Sequence, residues 1–143
     1  MAGAVQSQDY ASAKLAQEVI DGQTYWFAAS VSPVKAASST AHLLPNYDEY
    51  FIGFKDRSAI MNELIRYKPE ELLTGLSAHI MVIAGQVVGG WKRTLQKKGV
   101  EIELAPLKPL TKAEKRTVAV AAEQYGIFLE LPVMLTWHET KAA

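Results

Sequence analysis

Residues Val100 to Leu104 read Val, Glu, Ile, Glu, Leu. That alternation sends the apolar side chains one way and the carboxylates the other, the signature of a strand with one buried face. Upstream, Ala78 to Ala84 is almost continuously apolar, Gly85-Gln86 is able to turn, and Val87 to Leu95 continues as a strand broken by the Gly89-Gly90 pair. Lys97-Lys98-Gly99 then returns the chain into the alternating segment, so a three-stranded antiparallel meander is expected. Such a sheet needs a cover, and Thr111-Lys112-Ala113-Glu114 opens one with a capping-box pattern. Val118, Ala121, Ala122, Tyr125, Phe128 and Leu129 recur at helical spacing, which predicts a helix from about Lys112 to Leu129. Within it Gly126 costs roughly 1 kcal/mol relative to alanine, and Pro132 ends it. Val133 to Trp137 reads as a closing strand. The fold class is α/β (α+β): antiparallel β-hairpins and a meander packed by a C-terminal helix.

At 143 residues the chain is long enough to bury one ordinary core. Its 49% hydrophobic and 21% charged content lies in the globular range. The absence of cysteine excludes a disulfide scaffold, a thiolate zinc site and a cysteine nucleophile together. No apolar run approaches the ~18 residues of a membrane span, and the first residues lack the charged and apolar regions of a signal peptide. A soluble, cytoplasmic protein without membrane partners is expected. The net charge is zero, but its distribution is uneven: residues 1 to 91 hold six Lys or Arg against nine Asp or Glu, whereas 92 to 116 holds eight against three. The basic footprint is local, and a solvated face accounts for it as readily as a nucleic-acid surface does.

Toward the N-terminus, VQSQDYASAKLAQ forms at most a few helical turns, too short to stand alone. In EVIDGQTYWFAAS, Val19-Ile20 and Tyr25-Trp26-Phe27 flank Asp21-Gly22, the dipeptide of a type I′ turn, and predict a hairpin. SVSPVKAASST has linker composition. Ala59 to Leu73 reads as partly helical, with Lys68-Pro69-Glu70-Glu71 turning into a short helix. The histidines His42, His79 and His138 have no metal-ligand spacing, so neither a metal nor a cofactor is expected. The glycines at 85, 89, 90 and 99 follow hairpin turns and form no phosphate loop.

Between linker and meander lies His42 to Ser58, HLLPNYDEYFIGFKDRS, too dense in aromatics and acids for an ordinary amphipathic element. It resembles the LLPxYDEYxxGxxDRS segment of the winged-helix DNA-binding domain-containing family, which includes the AlkZ- and YcaQ-type DNA glycosylases. GQVVGGWKRTLQKKGVEIELAPLKPLTKAE looks like that family's GxVVGxWKR hairpin with its Pro-Leu-Thr helix start. EVIDGQTYWFA looks like its wing hairpin, and GAVQSQDYASAK like its N-terminal block. Family members place a long winged-helix body between the last two, where here Lys14 and Glu18 are nearly adjacent. The resemblance therefore implies an internally shortened member: 1–17 an N-terminal helix carrying Gln-Ser-Gln, 18–40 a wing-like hairpin and linker, and 41–143 the C-terminal α/β domain.

The resemblance also implies chemistry. The glycosylase branch uses a glutamine, any residue, then glutamine or aspartate, and Gln6-Ser7-Gln8 matches the glutamine form. An N7-alkylated purine is a cationic leaving group, so neutral amides that orient a water are enough. In an extended segment Gln6 and Gln8 point to the same side. Double-stranded DNA is the implied partner, with Lys92, Arg93, Lys97 and Lys98 on a hairpin arm as phosphate contacts. Of the signature residues Tyr47, Asp48, Glu49, Tyr50, Asp56 and Arg57, the set Asp48, Glu49, Asp56 and Arg57 offers paired carboxylates for acid-base work. The favoured reading is structural: Asp48 or Asp56 pairs with Arg57 or Lys55 and caps a turn, while Tyr47, Tyr50, Phe51 and Phe54 pack in the core. The function implied is DNA binding with N-glycosylase action on alkylated or cross-linked purines; the alternative is a truncated, non-enzymatic DNA-binding or interaction module.

Overall fold

The computed structural model describes residues 15–30, 40–61, 64 and 79–139. The chain divides into two compact units, Met1–Ala36 and Ala37–Ala143.

In the first unit, β1 (Leu15–Ile20) and β2 (Gln23–Ala28) pair antiparallel with Ile20 opposite Gln23. Asp21 and Gly22 turn with φ of 51° and 79°, the two left-handed residues that a type I′ hairpin requires. The helix expected over 1–17 falls mostly outside the described residues, and its last three, Leu15 to Gln17, are strand. Opposed residues share a face, so Val19 and Trp26 lie on one side of the ribbon and Ile20, Tyr25 and Phe27 on the other, all exposed.

The second unit is a sheet of β3 (Ala41–Leu44), β4 (Ile80–Ile83), β5 (Gln86–Gln96), β6 (Gly99–Pro106) and β7 (Val133–Trp137), in that order. The first four run antiparallel. The last joins β6 in parallel, Val100 opposite Val133, through α2 (Lys112–Leu129) as crossover. The meander is as read from the sequence, with two corrections. The β4–β5 turn sits at Ala84-Gly85 (φ 49° and 76°), one residue before Gly85-Gln86, and Tyr50 fastens it by donating its hydroxyl to the Gly85 carbonyl at 2.7 Å. Gly89-Gly90 does not break β5. The register passes from Met81↔Gly89 to Val82↔Val87, so Val88 is the extra residue of a bulge. A side chain on Gly89 would stand 2.5 Å from the Ala105 carbonyl and 2.7 Å from Met81 Cε, so the strand is continuous because glycine is there.

On one face of the sheet, α2 covers Met81, Val88, Trp91, Val100, Ile102 and Leu104 with Val118 and Ala122. The alternation of Val100 to Leu104 thus places its apolar set under the helix. Thr111 Oγ1 accepts from Glu114 N at 3.2 Å and Glu114 Oε2 accepts from Thr111 N at 2.7 Å, the reciprocal pair the sequence predicts. The helix ends with Leu131 N donating to Gly126 O and Glu130 N to Ile127 O, and Glu130 takes the left-handed conformation at φ 55°. Gly126 is more than a weak point: a side chain there would strike Val133 of β7 and approach the Leu131 carbonyl at 2.9 Å.

The opposite face of β4 and the start of β5 carries a second cluster, Ile80, Val82 and Val87 with Phe51, Met61 and Leu64. Here the signature segment packs, as α1 (Glu49–Ile52) and a 3-10 turn (Ser58–Ile60). Of the aromatics expected in the core only Phe51 is buried; Tyr47 and Phe54 are 75% and 74% exposed and Tyr50 is 40% exposed. One helical turn presents one side to the sheet, and Phe51 occupies it. Past residue 61, the partly helical stretch expected to Leu73 lies outside the described residues except for Leu64.

Candidate nucleic-acid interface

The β5–β6 arm is exposed on one strand only: β5 runs past the end of β4 from Lys92 to Gln96, while Gly99, Val100 and Ile102 of β6 stay buried beside β7. Burial along β5 switches after Trp91, whose ring meets His79 and Tyr125 edge-on at 5.0 and 5.7 Å and whose Nε1 donates to Leu44 O at 2.9 Å. From Lys92 to Gln96 every residue is exposed, and Lys97-Lys98 close the arm between Gln96 and Gly99.

The four cations assigned to DNA do not share one environment. Trp91 and Arg93 face α2, where Arg93 donates to the Tyr125 hydroxyl and lies 5.5 Å from the centre of that ring. Lys92 faces the other way, across from Glu103, with its ammonium 3.6 Å from the carboxylate. Glu103 also holds His138 Nε2 at 3.0 Å. Lys97 and Lys98 have no ion-pair or hydrogen-bond partner among the described residues. Sequence reasoning missed Tyr125, Glu103 and His138 as partners, since each is a cross-element neighbour visible only once register is known. The one available signal was the alternation that put Glu103 on the open face.

The signature acids act on backbone. Asp48 caps α1 by accepting from Tyr50 N at 2.9 Å, and Asp56 accepts from Ser58 N at 2.9 Å. That backbone bond, reinforced by the Ser58 side chain, holds the Asp56 carboxyl below its usual range. Partial burial pushes the Tyr50 phenol up. Arg57 donates Nε to the Phe51 carbonyl at 2.6 Å and lies over the Phe51 ring, so the expected pairing with Asp48 or Asp56 gives way to a clamp on α1. Glu49 lies in the first turn of α1, where its charge suits the helix N-terminus. Gln6 and Gln8 lie outside the described residues. Among the described residues no group of three or more His, Asp or Glu stands close enough to hold a metal ion, and no helix is long and apolar enough to cross a membrane.

A search of curated proteins finds no match. Among solved structures, the Streptomyces sahachiroi DNA glycosylase AlkZ shares the fold at a TM-score of 0.57 and 17% identity, over 90% of this chain and 35% of that one. This chain thus spans about a third of the length of that relative. A family model described as DNA glycosylase AlkZ-like matches residues 2–128. With that match over most of its length, the chain belongs to the AlkZ-like DNA glycosylase family.

Proposed function

We infer that the chain binds double-stranded DNA as a member of the winged-helix glycosylase group, with the tip of the β5–β6 arm as its phosphate contact. The observation that carries this is the state of Lys97 and Lys98: exposed, adjacent, and free of ion pairs among the described residues, at the turn where β5 overhangs β4 and meets β6. Two adjacent lysines on an exposed turn neutralise phosphates without reading bases. Arg93 and Lys92 hold the arm, through Tyr125 and Glu103, and contribute less to the contact. The β1–β2 hairpin is assigned as the wing.

The chemistry that goes with this reading is hydrolysis of the glycosidic bond of an N7-alkylated purine. The C1′–N9 bond breaks, the cationic base leaves neutral with the electron pair, and a water oxygen bonds to C1′ and releases its proton to solvent. Gln6 and Gln8 orient that water through their amides. Incubation with alkylated duplex DNA then releases N7-methylguanine, detected by mass spectrometry, and Gln6→Ala or Gln8→Ala lowers the rate about 100-fold, the scale of losing one oriented polar group. A second reading is a non-enzymatic DNA-binding or interaction module. Salt-dependent duplex binding with no base release selects its DNA-binding form; absence of duplex binding at low salt rules out the glycosylase reading and leaves the interaction module.

A further inference from the structure

The outer edge of β3 carries backbone groups that no other strand uses among the described residues. Hydrogen-bonded and non-hydrogen-bonded pairs alternate along an antiparallel ladder. Ala84 N donates to Thr40 O at 3.1 Å, so His42 and Leu44 also direct their backbone groups toward β4, while Ala41 and Leu43 direct theirs away. The next ladder agrees: Trp91 N donates to His79 O, which turns His79 and Met81 toward β5 and leaves Ile80 and Val82 for β3. β3 is the terminal strand of the sheet among the described residues. Edges are commonly blunted by lysine, proline or a covering element, and Ala-His-Leu-Leu carries neither residue.

Beside this edge runs a groove of about 670 Å³ between β3 and α2, walled by Ala41, Leu43, Thr117, Val120 and Gln124, with Arg116 toward the helix N-terminus. Its lining holds no acidic residue, and Arg116 is exposed without an ion pair among the described residues. Unpaired N–H and C=O groups next to an apolar trough are the two elements of strand addition: main-chain bonds supply affinity, and alternate side chains entering the trough supply selectivity.

We propose that the β3 edge and the groove beneath α2 form a β-augmentation site for an extended segment of a partner protein, apolar at alternate positions and bearing a carboxylate that meets Arg116. Charge complementarity selects the acidic partner, because the one charged wall of the groove is positive.

Fluorescence anisotropy with two labelled peptides tests it, Thr-Val-Thr-Val-Thr-Val-Asp and the same sequence ending in Lys. The Asp peptide is expected to bind about tenfold more tightly than the Lys peptide. Ala41→Pro removes an outward N–H and leaves the ladder to β4 intact, so it weakens the Asp peptide about tenfold with an unchanged melting temperature. Should that variant fail to fold, Arg116→Glu on the helix surface decides, since it reverses the preference between the two peptides. Binding that ignores Arg116→Glu, or no binding of either peptide, overturns the proposal. So does a dimer in sedimentation velocity that Ala41→Pro dissolves without any peptide binding, which assigns the edge to a second copy of the chain.

Discussion

Glu130 is one of four non-glycine residues that take a positive φ among the described residues. It closes α2 at φ 55°, where a Cβ is unfavourable and glycine is at ease. Glu130→Gly is expected to stabilise the protein by about 1 kcal/mol in urea unfolding. Gly126 makes the opposite case, because Val133 occupies the space its side chain would need. Gly126→Ala therefore destabilises by about 1–3 kcal/mol despite alanine's better helix propensity. At the other end, the Glu114 carboxyl is held below its usual range, first by the Thr111 N–H, then by the Thr111 hydroxyl, with Lys108 adding a smaller pull. A depressed folded value means that this stabilisation is complete above the unfolded glutamate range and is lost as pH falls through the folded value. Thr111→Ala should cost about 1 kcal/mol at pH 7, and the deficit should narrow toward pH 3 in parallel unfolding curves. The capping box was legible because its partners are three residues apart. Glu130 and the role of Gly126 were not, since one depends on a backbone angle that sequence does not display and the other on a strand that arrives later.

The β5–β6 arm is the element on which the functional reading turns, and its net charge depends on pairing as much as on composition. Lys92 is offset by Glu103, so Glu103→Gln should release it and steepen the dependence of log duplex affinity on log salt by about 0.9, while Lys97→Ala with Lys98→Ala should flatten it by about 1.8. Fluorescence titrations at several salt concentrations measure both. The arm itself was readable from alternation and turn residues. The division of its cations was not, because which neighbour each meets follows from cross-strand register and from the bulge at Val88. That bulge lets one strand serve two clusters, Val87 on the signature side and Val88 with Trp91 beneath the helix, where a regular strand would send Val87 and Trp91 to the same face. The signature's aromatics were misplaced for a related reason: a four-residue helix has one inward position, and density of apolar residues does not say which will take it.

Across the whole molecule, both hydrophobic clusters fall within Ala37–Ala143. A fragment of residues 37–143 should accordingly keep a single cooperative thermal transition, seen by far-ultraviolet circular dichroism, while the β1–β2 ribbon buries no hydrophobic residue among the described ones. The antiparallel majority of the sheet could be read from the sequence, but the parallel entry of β7 could not. Hydrophobic pattern marks a strand without stating its direction, and the direction here comes from α2 carrying the chain back across the face before it pairs. The three tryptophans are distributed to match this organisation: Trp26 exposed in the hairpin, Trp91 buried at the centre of the helix-covered cluster, Trp137 half-buried in the last strand with Lys115 5.5 Å from its ring. The protein thus carries its own set of optical probes, one for each ribbon, core and closing edge. Variants retaining a single tryptophan would let emission colour and acrylamide quenching show which of the three yields first when the chain is heated or meets DNA.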